Sequence, residues 1–410
     1  MITDVRMDDF PQIYSDLVHH FDRKPWMKTV EDLQYQVKAN SLMEGWILRV
    51  YKIAYGLVEF DKFGLGAAYG PKWESVKHAM GFAAQVLAIL DVSTPDNARK
   101  AIARVDGALR KPDTMRGIEF EFSIATHLSR LGCSIEWREE DKPGKNFDML
   151  VDVPGIGLVD FECKTLDSDT GEAIHEDTAL EFINRLMPWA LKALPDLPQH
   201  FYGISITMES AIPSNVSDQA QLALAVGEAL ARTDHHLDGV CRIDLQGGDI
   251  STLPAGMEDE ALRSLSNVLL GDHPSHQVIT ELPDGSHLAI RVGCVIPSTL
   301  DKQMKKKAKQ AVRKQMTGER PGCLVMRVER HSAEDLTAEA GAEENDLFNL
   351  AKYLCEHAEH PHLAGVVFVS APAFTRLSST TESGQSCTYA FDSLWGRYPN
   401  LGFQRLFIGR

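Results

Sequence analysis

The pattern of apolar and polar positions predicts helices only in the first part of the chain. Three segments have apolar side chains at helical spacing: around 28–60, 71–92 and 96–110. Alternating, strand-like patterns are almost absent there. We therefore predict an all-helical amino-terminal domain over residues 1–111, which would serve regulation or oligomerisation.

Beyond residue 112 the pattern alternates between strand and helix. Strands are predicted at 133–138, 201–208, 239–245, 322–329 and 364–370, with a hairpin over 276–296. The last two strands are apolar enough to be buried on both faces. The alternation predicts an α/β class with a core domain over 112–300 and a carboxy-terminal extension over 301–410. We expect the extension to continue the core's sheet, although a separate α/β unit is the alternative.

A predicted hairpin over residues 146–166 brings charged side chains together. Pro154, Gly155 and Ile156 have turn chemistry, so paired positions should sum to 310, which puts Asp148 opposite Glu162. Alternation then sorts the side chains onto two faces. The apolar face carries Met149, Val151, Val153, Val159, Phe161 and Cys163, and the other carries Asp148, Leu150, Asp152, Leu158, Asp160, Glu162 and Lys164.

The opposed carboxylates of Asp148 and Glu162 favour a metal site. Like charges opposed in a sheet repel each other unless a cation or proton lies between them. Oxygen ligands without nearby His or Cys favour Mg²⁺ or Mn²⁺. Lys164 could orient or deprotonate an attacking water. The alternative is a structural strand in which Lys164 pairs with Glu162 at an exposed surface.

The preceding segment, 116–132, adds a third carboxylate. It is predicted to be a helix closed by Gly132, with one apolar stripe and Glu121 at its centre. Glu119 is predicted to lie on the opposite, solvated face. An inward carboxylate is costly unless it is paired or metal-bound, so Glu121 joins the candidate site. The alternative is a half-solvated Glu in the first turn of the helix.

This order of elements resembles the PD-(D/E)xK nuclease superfamily with its restriction-endonuclease-like core. The resemblance covers roughly residues 112–210: a helix with an inward Glu121, a strand, Asp148, Glu162-Cys163-Lys164, then a helix and a strand. It implies a mixed sheet flanked by helices and metal-dependent phosphodiester hydrolysis. Asp148 and Glu162 match the metal ligands, Lys164 the catalytic lysine and Glu121 the helix glutamate that many members add. Phe147 replaces the motif's Pro.

Charge restricts nucleic-acid contacts to local surfaces. The net charge of −16 argues against broad coating of nucleic acid. The segment 301–320, however, contains eight Lys/Arg and only two acidic residues, and it is predicted to be a helix. Its buried face would carry Met304, Ala308, Ala311, Val312 and Gln315, and its outward, phosphate-binding face Lys305, Lys306, Lys309 and Arg313. A merely solvated face is the alternative. Loop residues Lys142 and Lys145 are further candidates.

The remaining signals concern location and alternative chemistry. We find no long apolar run and no signal peptide, and the seven scattered cysteines suit reduced thiols, so a cytoplasmic protein without membrane association is expected. Cys355, His357, His360 and His362 have a metal-like composition, but a solvated helix end is the favoured interpretation. A metal enzyme built on this cluster would need stoichiometric zinc.

The sequence thus predicts a Mg²⁺- or Mn²⁺-dependent endonuclease. DNA is favoured over RNA as substrate, a homodimer is expected, and the resemblance suggests restriction-type or anti-phage defence. The alternative keeps the fold but makes the chain a catalytically silent subunit that binds nucleic acid or regulates a partner.

Overall fold

The computed structural model describes residues 2–138, 147–195, 200–250, 259–271, 275–342, 345–376, 378 and 381–407. The chain forms two compact units, each built from separated segments. The first unit contains 1–35, 47–170 and 300–410, and the second contains 36–46 and 171–299. This division differs from the three consecutive domains predicted over 1–111, 112–300 and 301–410.

The helices follow the predicted apolar segments closely in the amino-terminal part. They are α1 (Phe10–His20), α2 (Trp26–Ala39), α3 (Glu44–Val50), α4 (Lys52–Phe63), α5 (Trp73–Val92), α6 (Pro95–Arg110), α7 (Met115–Arg130), α8 (Glu176–Ala193), α9 (Val216–Ala231), α10 (Asp259–Leu270), α11 (Leu300–Gln310), α12 (Ala333–Gly341), α13 (Asp346–Glu356) and α14 (Gln404–Phe407). A π-helical turn, Ala311–Gln315, continues α11.

The strands are short and belong to three sheets. They are β1 (Ile2–Arg6), β2 (Ser134–Trp137), β3 (Met149–Val153), β4 (Gly157–Leu166), β5 (His200–Met208), β6 (His236–Leu237), β7 (Cys241–Asp249), β8 (His276–Glu281), β9 (His287–Cys294), β10 (Gly322–Val328), β11 (Leu363–Ser370), β12 (Ala373–Arg376), β13 (Thr381–Gln385) and β14 (Thr388–Asp392). Together with the helices they form a mixed α/β fold, as the sequence predicts at that level.

The central sheet of the first unit has the order β14-β11-β10-β4-β3-β2. Strands β3 and β4 pair antiparallel with Met149 opposite Phe161 and Val153 opposite Gly157, so each pair sums to 310 and the predicted register is confirmed. Gly155, in the turn, has a φ of 81°, which glycine adopts without strain. Strands β10 and β11 join the same sheet, which confirms that the carboxy-terminal segment extends it.

The basic helix α11 and its π-helical turn lead into β10, which pairs parallel with β4. Leu324 in β10 is the register partner of Glu162, and Met326 is the partner of Lys164. Leu324 and Met326 pack against Met304 and other buried residues of the α11 segment. Since register partners project to the same side of a sheet, α11 covers the face that carries Glu162 and Lys164.

The second unit has its own sheet, with the order β6-β7-β5-β9-β8. Its core joins residues of α8 and α9, such as Phe182 and Val226, to strand residues such as Ile204 and Ile290. The helix and strand that end the segment covered by the resemblance, here α8 and β5, therefore do not continue the central sheet, and the resemblance was wrong on this point. The local patterns were correct, but they cannot specify which sheet a strand joins.

The amino-terminal region is not all-helical. Strand β1 pairs antiparallel with β13, which also pairs with β12, in a three-stranded sheet of the first unit. The prediction failed because β1 has only five residues and its pairing partner lies near the other end of the chain. Residues 1–35 and 47–111 thus share a unit with the carboxy-terminal strands.

Candidate active site

Asp148 and Glu162 lie on neighbouring strands of the central sheet. Asp148 directly precedes β3, and its Oδ2 accepts a hydrogen bond of 2.7 Å from the backbone N–H of Cys163. This bond anchors Asp148 beside β4 at the residue between Glu162 and Lys164. The hairpin therefore brings these three charged groups together.

Glu162 is a buried carboxylate that is only partly satisfied. Its exposed fraction is 0%. The Lys164 ammonium donates a hydrogen bond to Oε1, whereas the buried Oε2 has no hydrogen-bond partner among the residues described. Burial raises the pKa of Glu162 well above its ordinary value, and the Asp148 charge adds to this effect against the opposing influence of Lys164. A cation beside Oε2 would relieve this cost.

The Lys164 side chain stays protonated at neutral pH. Burial acts to lower its pKa, but Glu162 and Asp148 outweigh that effect, so the pKa of Lys164 is raised above its ordinary value. A lysine in this environment is a poor proton acceptor at neutral pH. Its geometry suits electrostatic stabilisation and the orientation of a nucleophile.

Glu121 faces inward from α7, as predicted, and is held by an arginine that the sequence did not single out. Arg104 of α6 donates a hydrogen bond of 2.5 Å to Glu121 Oε2, and the same Nη2 lies 3.5 Å from Asp148 Oδ1. The guanidinium also lies 5.5 Å from the centre of the Trp137 ring. One cation therefore joins the Glu121 and Asp148 carboxylates. Burial, followed by the Asp148 charge, raises the pKa of Glu121 to about 8 despite the Arg104 contact.

A sequence signal for Arg104 existed in the helical pattern. Ala101, Val105 and Ala108 form the buried stripe of α6, and Arg104 falls on that stripe. A buried arginine requires a partner, so its position indicated a nearby carboxylate.

The prediction for Glu119 was wrong. Its exposed fraction is 8%, because α7 is covered on both sides. Its carboxylate lies 3.7 Å from the Lys52 ammonium and 3.7 Å from the Arg327 guanidinium. Burial acts to raise its pKa, but Lys52 and Arg327 outweigh burial and the pKa of Glu119 is lowered.

Asp160 shares the polar face of β4 with Glu162 but has a complete set of partners. Its Oδ2 accepts hydrogen bonds from the backbone N–H, at 2.9 Å, and the hydroxyl of Thr317, and its Oδ1 accepts one of 3.0 Å from Arg320 Nε. Asp160 therefore fastens the segment after α11 to the sheet, which is a structural role.

The basic helix has the predicted buried face, and its cations differ in their surroundings. Met304, Ala308, Ala311 and Val312 are buried, and Gln315 is partly buried. Lys306 is exposed, Lys305 and Lys309 lie over the Tyr353 ring at 3.6 and 4.9 Å, and Arg313 pairs with Glu359 at 2.9 Å.

One further cation of α11 lies close to β4. Lys307, which the sequence pattern did not single out, donates to the carbonyl of Thr165 at 3.5 Å, next to Lys164. Lys142 and Lys145 lie outside the described residues.

The carboxy-terminal histidines are not a solvated helix end. His360 and His362 are buried, and they contact the carbonyls of Leu354 and Val312 at 3.2 and 3.1 Å. Ligand atoms of His357, Glu359 and His360 lie within 4.8 Å of one another. The imidazole rings of His357 and His360, however, stack with centres 4.9 Å apart, and Glu359 pairs with Arg313. These contacts suit a packed turn better than shared metal ligation.

The residues at the hairpin fit a hard divalent cation. Every converging ligand atom is an oxygen, and the unpartnered Oε2 of Glu162 is a ready acceptor. Within the described ranges, Glu121, Asp148 and Glu162 do not bring one oxygen each within 4.8 Å of one another, so a three-carboxylate cage is not preformed. Asp148 and Glu162 are the pair that would hold Mg²⁺ or Mn²⁺, with waters and substrate phosphate completing the coordination.

Comparison with protein-family models, curated proteins and solved structures gives no match to this chain. The seven cysteines all fall within the described ranges and carry free thiols. In the same ranges, no helix combines the length and apolar character needed to cross a bilayer.

Proposed function

We propose that the protein is a Mg²⁺- or Mn²⁺-dependent endonuclease that hydrolyses phosphodiester bonds of DNA. The observation that carries the proposal is the fully buried Glu162, which has one oxygen unpartnered, beside Asp148 and Lys164. Structural carboxylates normally have partners for their buried oxygens, as Asp160 does four positions before Lys164 on the same face. A buried carboxylate with one unpartnered oxygen, next to a second carboxylate and a lysine, supports metal-assisted hydrolysis.

The chemistry follows from the charges at the hairpin. Bound through Asp148 and Glu162, the metal would polarise the scissile phosphate and lower the pKa of a water molecule. Lys164, which stays protonated, offsets charge on the phosphate oxygens and orients the attacking water by a hydrogen bond. Water would add to phosphorus while the bond to the leaving oxygen breaks, with the proton of the attacking water passing to solvent and the leaving oxygen taking a proton from solvent. Glu121 holds Arg104, and Arg104 in turn fixes Asp148.

The order of elements also supports a nuclease of the PD-(D/E)xK type. The helix with the inward glutamate is α7, the three antiparallel strands are β2, β3 and β4, and the following helix and strand are α11 and β10. On this interpretation the second unit is an insertion between β4 and α11. The same resemblance extends the proposal to restriction-type or anti-phage defence.

Phosphate contacts are proposed for the basic helix. Lys306 is exposed, and Lys305, Lys309 and Arg313 share its outward side. Lys307 adds a cation within reach of the Lys164 end of β4. Such contacts would position a duplex without reading its sequence.

The decisive experiment is cleavage of supercoiled plasmid DNA with Mg²⁺, with Mn²⁺ and with EDTA. We expect nicking and linearisation with either metal and none with EDTA. Asp148→Asn, Glu162→Gln and Lys164→Met should each abolish cleavage. Asp152→Asn is the matched control, because Asp152 lies on the same side of β3 as Asp148 but is exposed. Cleavage that persists in EDTA or in Asp148→Asn would overturn the proposal.

A second candidate, a catalytically silent subunit that binds nucleic acid, is favoured by Arg104. Its guanidinium already supplies a positive charge to Glu121 and Asp148. This candidate predicts salt-sensitive DNA binding in EDTA, no cleavage with any divalent metal, and unchanged binding in Lys164→Met.

The homodimer remains a prediction, which light scattering of the full chain tests. A chain lacking 1–110 would lose β1 and the helices that pack on α7, so it is unsuited to that test.

A further inference from the structure

A polar cavity of about 480 Å³ lies on the side of α7 that carries Glu119. Its walls come from α3, α4, α5, the start of α7 and the segment after β4. The cations that line it are Arg49, Lys52, Lys72 and Arg116. Cavities that bind small molecules commonly measure about 300 to 1,000 Å³, so a mononucleotide-sized ligand would fit.

Cations outnumber carboxylates among the side chains that line the cavity. Four cations (Arg49, Lys52, Lys72 and Arg116) accompany three carboxylates (Glu74, Glu119 and Glu329), in a chain whose net charge is −16. Local cations against an acidic background attract an anion to this place.

Each carboxylate of the cavity already lies beside a cationic side chain. Glu119 lies 3.7 Å from both Lys52 and Arg327, Glu329 lies 2.6 Å from Arg327, and Glu74 lies 2.5 Å from Lys77. They therefore hold the cations in place instead of repelling an incoming anion at full strength. Arg116, fixed by Asp167 at 3.0 Å, and Lys72, over the Tyr55 ring at 5.3 Å, remain at the cavity wall with defined positions.

His78 supplies an uncharged aromatic ring in the same cavity. Burial first, and then the Lys52 charge, lower its pKa to about 3, so the imidazole is neutral at physiological pH. Its ring also packs edge-on against Phe374, with centres 4.6 Å apart. A neutral ring together with Leu48 and Pro71 suits the uncharged part of a ligand, such as a nucleobase.

We propose that this cavity binds a small phosphorylated molecule of nucleotide size. The phosphate would lie among Lys52, Lys72 and Arg116, and the uncharged part would lie towards His78. The proposal stands on the cavity alone and does not depend on nuclease activity.

The proposal is tested by calorimetric titration of the full-length protein with adenosine 5′-monophosphate, adenosine and citrate, all in EDTA. EDTA removes metal-dependent binding at the hairpin. We expect one molecule of the monophosphate per chain, and binding weaker by at least about tenfold for adenosine, which lacks the charge-assisted contacts. Citrate, an anion without a phosphate or a base, should also bind more weakly. Equal binding of adenosine and the monophosphate would overturn the proposal.

Variants locate the binding and separate it from the hairpin site. Arg116→Gln and Lys72→Gln should each weaken monophosphate binding by about tenfold, since each removes a charged contact. Lys72→Gln disrupts no ion pair of the wall, so it remains informative if Arg116→Gln fails to fold. Lys62→Gln, at the far end of α4, is the matched control and should bind normally, as should Asp148→Asn. Absence of binding, or binding that is equal in all four variants, would contradict the cavity as the site.

Discussion

Two buried glutamates of α7, Glu119 and Glu121, lie only two residues apart in opposite electrostatic surroundings. Glu121 faces Asp148 and Arg104, and its pKa is raised to about 8. Glu119 faces Lys52 and Arg327, and its pKa is lowered. Burial acts to raise the pKa of both groups, so the neighbouring charges decide the difference. One helix thus separates an acidic site that would gain from a cation from a cavity suited to an anion.

The two sides of α7 differ in how far cations neutralise the buried carboxylates. On the Glu121 side, carboxylates outnumber the cations that neutralise them, and Glu162 keeps an unpartnered oxygen. On the Glu119 side, each carboxylate of the cavity has a cation nearby. The first arrangement is costly to folding and suits the proposed metal site, whereas the second is stable by itself.

The largest expected effect is on the rate of DNA cleavage, and it should differ between Lys164, on the Glu121 side of α7, and Lys52, on the Glu119 side. Lys164→Met should lower the rate of metal-dependent DNA cleavage by about a thousandfold, because the phosphate charge loses its cation. Lys52→Met should leave cleavage within about twofold, since it lies on the other side of α7. Rates of plasmid nicking under single-turnover conditions measure both. Equal losses in the two variants would mean that the sides of α7 are not independent.

A large effect on stability is expected at Glu119. Glu119→Gln should lower the free energy of unfolding by about 3 kcal/mol at pH 7, because it removes a buried partner of Lys52 and Arg327. Urea unfolding followed by circular dichroism measures the change. Glu121→Gln is the matched variant and should not lower the free energy of unfolding, because the raised pKa of Glu121 means that this carboxyl group already costs the folded state free energy at pH 7. A larger loss for Glu121→Gln would reverse the comparison.

The pH dependence of stability should have opposite signs at the two residues. The pKa of Glu121 is raised from 4.5 to about 8, so its contribution to stability is fully present below 4.5 and is lost as the pH rises through 8. Glu119 has a lowered pKa, so its contribution is present above its unfolded value and is lost as the pH falls. Thermal unfolding between about pH 3 and pH 8.5 measures this linkage, with the Glu119 contribution lost at the acid end and the Glu121 contribution lost at the alkaline end. Glu121→Gln should match the parent protein near pH 5 and exceed it by about 2 kcal/mol at pH 8.5. A parallel course for the two proteins would contradict the assignment.

The smallest expected effect is the stabilisation by Mg²⁺. A free concentration about ten times the dissociation constant should add about 1.4 kcal/mol to the free energy of unfolding. The gain should be larger at pH 8 than at pH 6, because Mg²⁺ competes with a proton for Glu162, whose pKa burial raises well above its ordinary value. Differential scanning fluorimetry measures the shift. Asp148→Asn should abolish it and Asp152→Asn should preserve it, and a shift that survives in Asp148→Asn would place the ion elsewhere.

Local periodicity was sufficient where a single element decides the outcome. The turn at residues 154–156 and the alternation around it fixed the register of β3 and β4, and helical spacing found the inward Glu121 and the buried face of α11. These features depend on neighbours a few residues apart, which the amino-acid pattern records directly.

Tertiary structure alone decided which elements meet. Glu119 seemed solvated because a stripe identifies one buried face, and only the packing of other helices buries the second. Arg104 reaches Asp148 from another helix, β1 pairs with β13 near the opposite end of the chain, and β5 joins a sheet of its own. Contacts between residues distant in sequence leave little trace in local pattern. The charged groups were therefore determined by the sequence, but the cations that neutralise them, and the oxygen left without one, were determined by the fold.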